Sequence, residues 1–150
     1  MQCYELLNNK NDDLDYFKNL GWTINQFQTQ LSKVNNYALG LYFKNYLEGY
    51  IIGDLVISNN TIEYEVLIIY VNILKRNKGY ASKLLDSIPL VIKEKKLDKI
   101  YLEVASNNEK AIKLYEKNQY KRVGIRKQYY LLKHKRIDGY IFEKKINEKL

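Results

Sequence analysis

Cysteine, histidine and proline occur once each in this 150-residue sequence, as Cys3, His134 and Pro89. One cysteine closes no internal disulfide, and with a single histidine beside it there is no metal-ligand cluster, so no metal is expected. Arginine is scarce too, at four of the 25 basic residues against 21 lysines. The lysines are scattered, which solvates a surface rather than building a nucleic-acid-binding face, although a net charge of +8 still attracts a phosphate-bearing small molecule. No run reaches the roughly 18 apolar residues of a membrane span, and the polar N-terminus lacks a signal-peptide pattern. With 46% hydrophobic residues the chain can bury a real core. The expectation is one domain over 1–150 in a reducing cytoplasm, with no membrane partner and no direct nucleic-acid binding required.

What is present alternates between helical and extended patterns. Residues 2–7 read as a weak first strand, and 12–19 and 23–34 as two short helices separated by Gly21-Trp22. The second carries Ile24, Phe27 and Leu31 at helical spacing behind Thr23 as N-cap. Strands are expected at 37–43, 48–58 and 61–71 as an antiparallel meander, turning at Lys44-Asn45 and Asn59-Asn60. A helix over 78–95 buries Ala81, Leu84, Leu85, Ile88 and Val91 or Ile92. Pro89 lies inside it and deletes one hydrogen bond, so the helix either kinks or ends early and restarts. A strand at 99–104 should run parallel to 61–71, because a crossover helix joins them. A helix at 107–118 and strands at 120–128 and 138–146 complete an α/β chain.

Between strand 61–71 and its crossover helix stands Arg76-Asn77-Lys78-Gly79-Tyr80-Ala81. A strand, a glycine turn and a helix N-terminus present unpartnered backbone N–H groups at the positive end of the helix dipole. That arrangement binds phosphate, and the small Gly79 and Ala81 let it approach. Leu102-Glu103-Val104, Asn108, Ala111-Ile112-Lys113-Leu114-Tyr115 and Tyr129-Tyr130 follow. In these residues the sequence resembles the GNAT N-acetyltransferase superfamily, and within it the RimI-type ribosomal-protein-alanine N-acetyltransferases. The superfamily's R-x-x-G-x-A acyl-CoA loop falls on Arg76, Gly79 and Ala81, and the remaining segments follow the RimI-like pattern.

The resemblance implies a mixed, mostly antiparallel sheet of about seven strands with about four helices. In it, parallel strands 61–71 and 99–104 splay apart to admit the pantetheine arm of acetyl-CoA. It implies that this co-substrate is held by Ile69, Val71, Arg76, Lys78, Gly79, Tyr80, Ala81, Ser82, Asn108 and Tyr115, while Gly21, Trp22, Tyr129 and Tyr130 flank the acceptor entry. The implied acceptor is a protein N-terminus, the N-terminal alanine of a small-subunit ribosomal protein. The alternatives are a small-molecule amine or a lysine side chain, and a non-catalytic acyl-CoA-binding module, against which intact Glu103, Asn108 and Tyr115 argue.

Acetyl transfer from a thioester to an amine needs a neutral nucleophile. An α-amine, with a pKa of about 7.7 to 8, is partly neutral at pH 7, whereas a lysine at about 10.4 is mostly charged. A base to accept the amine's proton and an acid for the departing thiolate assist. Glu103 alternates with Tyr101 along its strand, away from Leu102 and Val104 and near the C-terminal end, and its RimI-type counterpart is the base, acting through water. Glu65, on the strand before the phosphate loop, is the rival base. Tyr115 is the candidate acid, a phenol that stays protonated at neutral pH. Asn108 lies two helical turns before it on the same face, and Ser106-x-x-Glu109 reads as a capping box starting that helix.

Two departures from the family pattern stand out. Asn118-Gln119-Tyr120 replaces the common Leu-Gly-Phe after the last helix, so Asn118 or Gln119 must take the left-handed conformation, Asn being the better suited. The segment 131–136 is more basic than a site for a basic peptide tail calls for.

Overall fold

A computed structural model describes residues 2–5 and 22–146. The expected helix at 12–19, and Gly21, lie outside the described residues. Seven strands form one sheet: β1 (Gln2–Glu5), β2 (Asn36–Phe43), β3 (Tyr46–Ser58), β4 (Thr61–Val71), β5 (Lys99–Ala105), β6 (Lys121–Leu132) and β7 (Lys135–Lys145). Three α-helices accompany them among the described residues: α1 (Ile24–Leu31), α2 (Tyr80–Val91) and α3 (Glu109–Lys117). Strand order is β1-β2-β3-β4-β5-β7-β6, antiparallel throughout except for the β4/β5 pair, which the α2 crossover joins in parallel.

Local chemistry accounts for the meander. The central residues of both turns take positive φ, Lys44 and Asn45 at 47° and 67° and Asn59 and Asn60 at 48° and 65°. This left-handed pair matches the twist of the strands it joins. Alternation along β2 and β3 then sorts side chains onto two faces. Leu39, Leu41 and Ile51 pack with Leu84, Leu85 and Ile88 of α2, while Ala38, Tyr50 and Ile52 pack with Phe27 of α1. Thr23 caps α1 as expected, accepting from Gln26 N–H at 3.2 Å while Gln26 Oε1 accepts from Thr23 N–H at 2.7 Å.

Several boundaries differ from the sequence expectation. Helix α2 starts at Tyr80 rather than 78 and ends at Val91, two residues past Pro89, with a short 3-10 turn at Lys93–Lys95 before Lys96 reverses the chain at φ 53°. Helix α3 starts at Glu109 because Asn108 is its N-cap, accepting from Ala111 N–H at 3.2 Å, so the Ser106 capping box does not form. Ser106 N–H instead donates to Asp138 O at 2.8 Å, extending the sheet by one bond. At the other end Gln119, not Asn118, is left-handed, at φ 68°. Tyr120 N–H donates to Tyr115 O at 2.9 Å and Gln119 N–H to Glu116 O at 3.0 Å, a Schellman ending. The Asn118 side chain ties α3 to α2 instead, with Nδ2 donating to Leu114 O at 2.8 Å and Ser82 Oγ at 2.9 Å. Strands β6 and β7 meet in a tight turn at Lys133-His134, so the basic segment pairs (Leu131 with Arg136, Leu132 with Lys135) where a longer loop was expected. No helix among the described residues is long and apolar enough to cross a membrane.

Candidate active site

The site begins where two strands part. Strands β4 and β5 pair from Glu63 with Lys99 to Val66 with Leu102, and no further. At that point Leu67 is skipped in the β3/β4 register, which passes from Gly53 with Val66 to Ile52 with Ile68. Such a bulge bends and over-twists its strand. Ile68 to Val71 continue paired to β3 but turn away from Glu103 to Ala105, so the backbone groups of both strands facing the gap have no sheet partner. The opening is a cleft of about 910 Å³, with Ile69, Val71, Glu103, Val104 and Tyr115 among its walls.

One end of the cleft is the loop into α2. Asn72 Oδ1 accepts from Leu74 N–H at 3.1 Å, and Asn72 N–H donates to Glu48 O at 2.8 Å. The buried Glu48 carboxylate also pairs with Lys75 at 3.4 Å. Arg76 Nε donates to Val71 O at 3.0 Å, and the guanidinium lies over the Tyr70 ring at 5.9 Å, so Arg76 clamps the loop to the end of β4. Gly79 is the N-cap of α2 at φ 81°, with no side-chain cap, and its carbonyl accepts the first helical bond, from Lys83 N–H at 3.1 Å. The N–H groups of Tyr80, Ala81 and Ser82 therefore point out of the helix start without helical partners. A Cβ built on Gly79 meets nothing within 4 Å, so the space before those groups is open. Lys75, Arg76, Lys110 and Lys117 surround the cleft with positive charge. A pyrophosphate fits the chemistry of the helix start, and a pantetheine arm that of the strand gap. The Lys78 side chain turns away, donating to Leu74 O at 3.3 Å, and does not line the cleft.

The other end carries titratable side chains. Glu103 is the sole carboxylate among the described lining residues, and Arg126 of β6 reaches across β7 to pair with it, Nε to Oε1 at 2.7 Å. Tyr115 is 5% exposed, and burial, with the neighbouring Tyr130 phenol adding to it, leaves its pKa pushed up to about 12. Tyr130 also lines the cleft, and burial followed by the Glu103 charge raises its phenol. Trp22 closes the same cleft from the start of α1, held against Phe27 at 5.0 Å between ring centroids. Asn108, Tyr80, Ala81 and Ser82 line it as well.

Besides Lys78, two residues singled out in the sequence stand apart from the cleft. Glu65 lies in the paired part of β4, opposite Tyr101, and is not a lining residue; burial and then the Glu65 charge raise the Tyr101 phenol. Tyr129 is half exposed, edge-on to Tyr130 at 5.1 Å, with the Arg126 guanidinium over its ring at 5.2 Å. Sequence reasoning missed Arg126, Lys75 and Lys110. Lys75 precedes Arg76 in the same loop and was open to notice. Arg126 was not, because only the insertion of β7 between β5 and β6 brings it to Glu103. Among the described residues no group of three or more His, Cys, Asp or Glu side chains gathers that could hold a metal ion.

Comparisons with known proteins agree with the geometry. No curated protein sequence matches the chain. Among solved structures, the Escherichia coli ribosomal-protein-S18-alanine N-acetyltransferase superposes with a TM-score of 0.80 at 20% identity, over 99% of this chain and 97% of that one. Arabidopsis thaliana NAA60 in complex with acetyl-CoA gives 0.79 at 17% identity, over 97% and 99%. A spermidine N-acetyltransferase SpeG chimera from Vibrio cholerae and hSSAT gives 0.75 at 20%, over 95% and 94%. At these identities the likeness is one of fold. The acetyltransferase (GNAT) domain matches residues 22–141, four-fifths of the chain and all of the cleft described above, so this chain belongs to the GNAT acetyltransferase family, N-acetyltransferases with acetyl-CoA as donor.

Proposed function

We propose that this chain acetylates the N-terminal α-amine of a protein, the N-terminal alanine of a small-subunit ribosomal protein, with Glu103 as base and Tyr115 as acid. The observation that carries the reading is the charge of the cleft. Among the described lining residues a single carboxylate, already paired with Arg126, stands with four cations. A polyamine keeps further positive charges near its reacting amine and would need several carboxylates to hold them, whereas one peptide terminus needs one proton acceptor. An α-amine is also closer to neutrality at pH 7 than a lysine. The RimI-like segments carrying Glu103, Asn108, Tyr115 and Tyr130 support the same acceptor, and all four line one cleft.

The helix start at Tyr80 to Ser82 holds the pyrophosphate, and the open edge of β4 holds the pantetheine amides. Glu103 accepts the amine proton through a water as the nitrogen attacks the carbonyl. Tyr115 holds its proton more tightly than a free thiol of about 8.5 does, so it assists the leaving sulfur by a hydrogen bond as the C–S bond breaks. The proton follows as charge builds on a sulfur whose own basicity the same burial raises. The test is incubation with acetyl-CoA and peptides differing in their first two residues, beside spermidine and an N-blocked lysine peptide, read by mass spectrometry. Mass gain at the α-amine, with preference for alanine, is expected. Faster modification of spermidine or of the lysine side chain would overturn the acceptor assignment.

A further inference from the structure

Strand β6 does not run smoothly past the active site. Arg126 pairs with Gly139 and Tyr130 with Ile137, so three residues of β6 stand opposite the single Asp138 of β7. The middle one, Gln128, takes φ 50°, a conformation disfavoured for a residue with a Cβ. Asp138 holds it. Its Oδ1 accepts from Gln128 N–H at 2.9 Å, and its Oδ2 lies 3.6 Å from the exposed Lys127 ammonium. The Asp138 carbonyl accepts from Ser106 N–H at 2.8 Å, at the end of the strand that bears Glu103.

The bulge has consequences on both sides. Before it, Arg126 meets Glu103; after it, Tyr130 enters the cleft. Gly139 completes the arrangement, because a Cβ there would stand 3.0 Å from Tyr130 Cε2 and 3.4 Å from Tyr129 Cδ1. An unbulged strand would shift the register after Arg126 and move Tyr130 off the cleft.

We propose that Asp138 is a positioning residue for acceptor recognition, its carboxylate holding the three-residue bulge that aims Tyr130 into the cleft and Arg126 at Glu103. This rests on the reading of Glu103 and Tyr130 as the acceptor end. It separates two halves of the site: the pyrophosphate and pantetheine contacts proposed above stand on the α2 start and β4, and among the described residues the Asp138 side chain meets only Gln128 and Lys127. Asp138→Ala removes the acceptor for Gln128 N–H. Asp138→Asn keeps an oxygen there and loses only the exposed pairing with Lys127, which contributes little.

The experiment compares the two variants with wild type. Asp138→Ala should raise KM for the acceptor at least about tenfold, with the acetyl-CoA Kd within about twofold, and Asp138→Asn should restore the acceptor KM to within about threefold of wild type. The assay takes whichever amine the wild-type enzyme acetylates, so a preference for spermidine would overturn the proposed acceptor and still test the clamp. Independently of any acceptor, hydrogen exchange at the amide of Gln128 should quicken at least about tenfold in Asp138→Ala and not in Asp138→Asn. Gly139→Ala, which crowds Tyr130 by another route, should raise the acceptor KM in the same direction and covers the case in which Asp138→Ala does not fold. An unchanged acceptor KM, an equal rise in acetyl-CoA Kd, or unchanged exchange at Gln128 overturns the proposal.

Discussion

Glu103 and Tyr115 meet at the cleft from opposite faces of the sheet, Glu103 with Tyr101 on one and Tyr115 among Val104, Tyr120 and Phe142 on the other. In the proposed mechanism the attacking nitrogen and leaving sulfur lie between them, where the strands have parted. Glu103→Gln keeps the shape and loses the proposed base, so kcat should fall by about 10² to 10⁴-fold with little change in acetyl-CoA affinity, measured by steady-state kinetics and calorimetry. Glu65→Gln is the control and should stay near native; the reverse outcome places the base on β4. Tyr115→Phe should lower turnover by removing only the hydroxyl. The loss should shrink with a thioester whose thiol is more acidic, since that thiolate departs without help. An equal loss with both thioesters would reduce Tyr115 to packing.

At the scale of elements, the loop into α2 is held by Glu48, Asn72 and Arg76 and opens at Gly79. Gly79→Val should raise the acetyl-CoA Kd at least about tenfold, or about 1.4 kcal/mol, by calorimetry. Crowding is the reason a small residue there suggests from sequence. The structure gives another: no protein atom lies within 4 Å of an added Cβ, and the penalty comes from a β-branched residue at φ 81°, which moves the three N–H groups behind it. Helix α3 is tied to that helix start through Asn118 and Ser82. Asn118→Ala loses both a helix-end bond and the partly buried inter-helix bond, which should cost about 1 to 3 kcal/mol by urea denaturation at unchanged m-value.

Across the whole molecule, tyrosine supplies both core volume and a pH limit. Tyr64, Tyr115 and Tyr120 are buried in the cluster shared by the sheet, α2 and α3, and burial raises all three phenols, Tyr115 to about 12. A folded-state value above the ordinary one of about 10 gives stability that is fully present below about pH 10 and lost as pH rises towards 12, because the unfolded chain ionises first. Thermal melting should therefore hold level up to about pH 9.5 and fall steeply above it. A Tm that is flat to pH 11 would show these phenols to be exposed to solvent.

Much of this architecture was legible because it depends on neighbours in sequence. Thr23 and Gln26 close a cap within one turn, Lys44-Asn45 and Asn59-Asn60 reverse the chain within two residues, and Val66 through Ala81 carry strand, turn and helix in order. The parallel placement of β4 and β5 followed from the helix between them, whereas Glu103, Asn108 and Tyr115 were singled out by the resemblance to the RimI-type pattern. Element ends were less legible. Asn108 outcompeted Ser106 as cap because the sheet claims Ser106 N–H for Asp138, a residue far along the chain. The same holds for the charge around the base. Arg126 reaches Glu103, and Tyr130 the cleft, only once β7 has inserted between β5 and β6 and Asp138 has fixed the bulge. Local sequence determined which groups this protein carries and on which kind of element, since caps, turns and alternation act over a few residues. The tertiary structure alone decided which of them face one another, because strand order and register are set by packing between segments the chain keeps far apart.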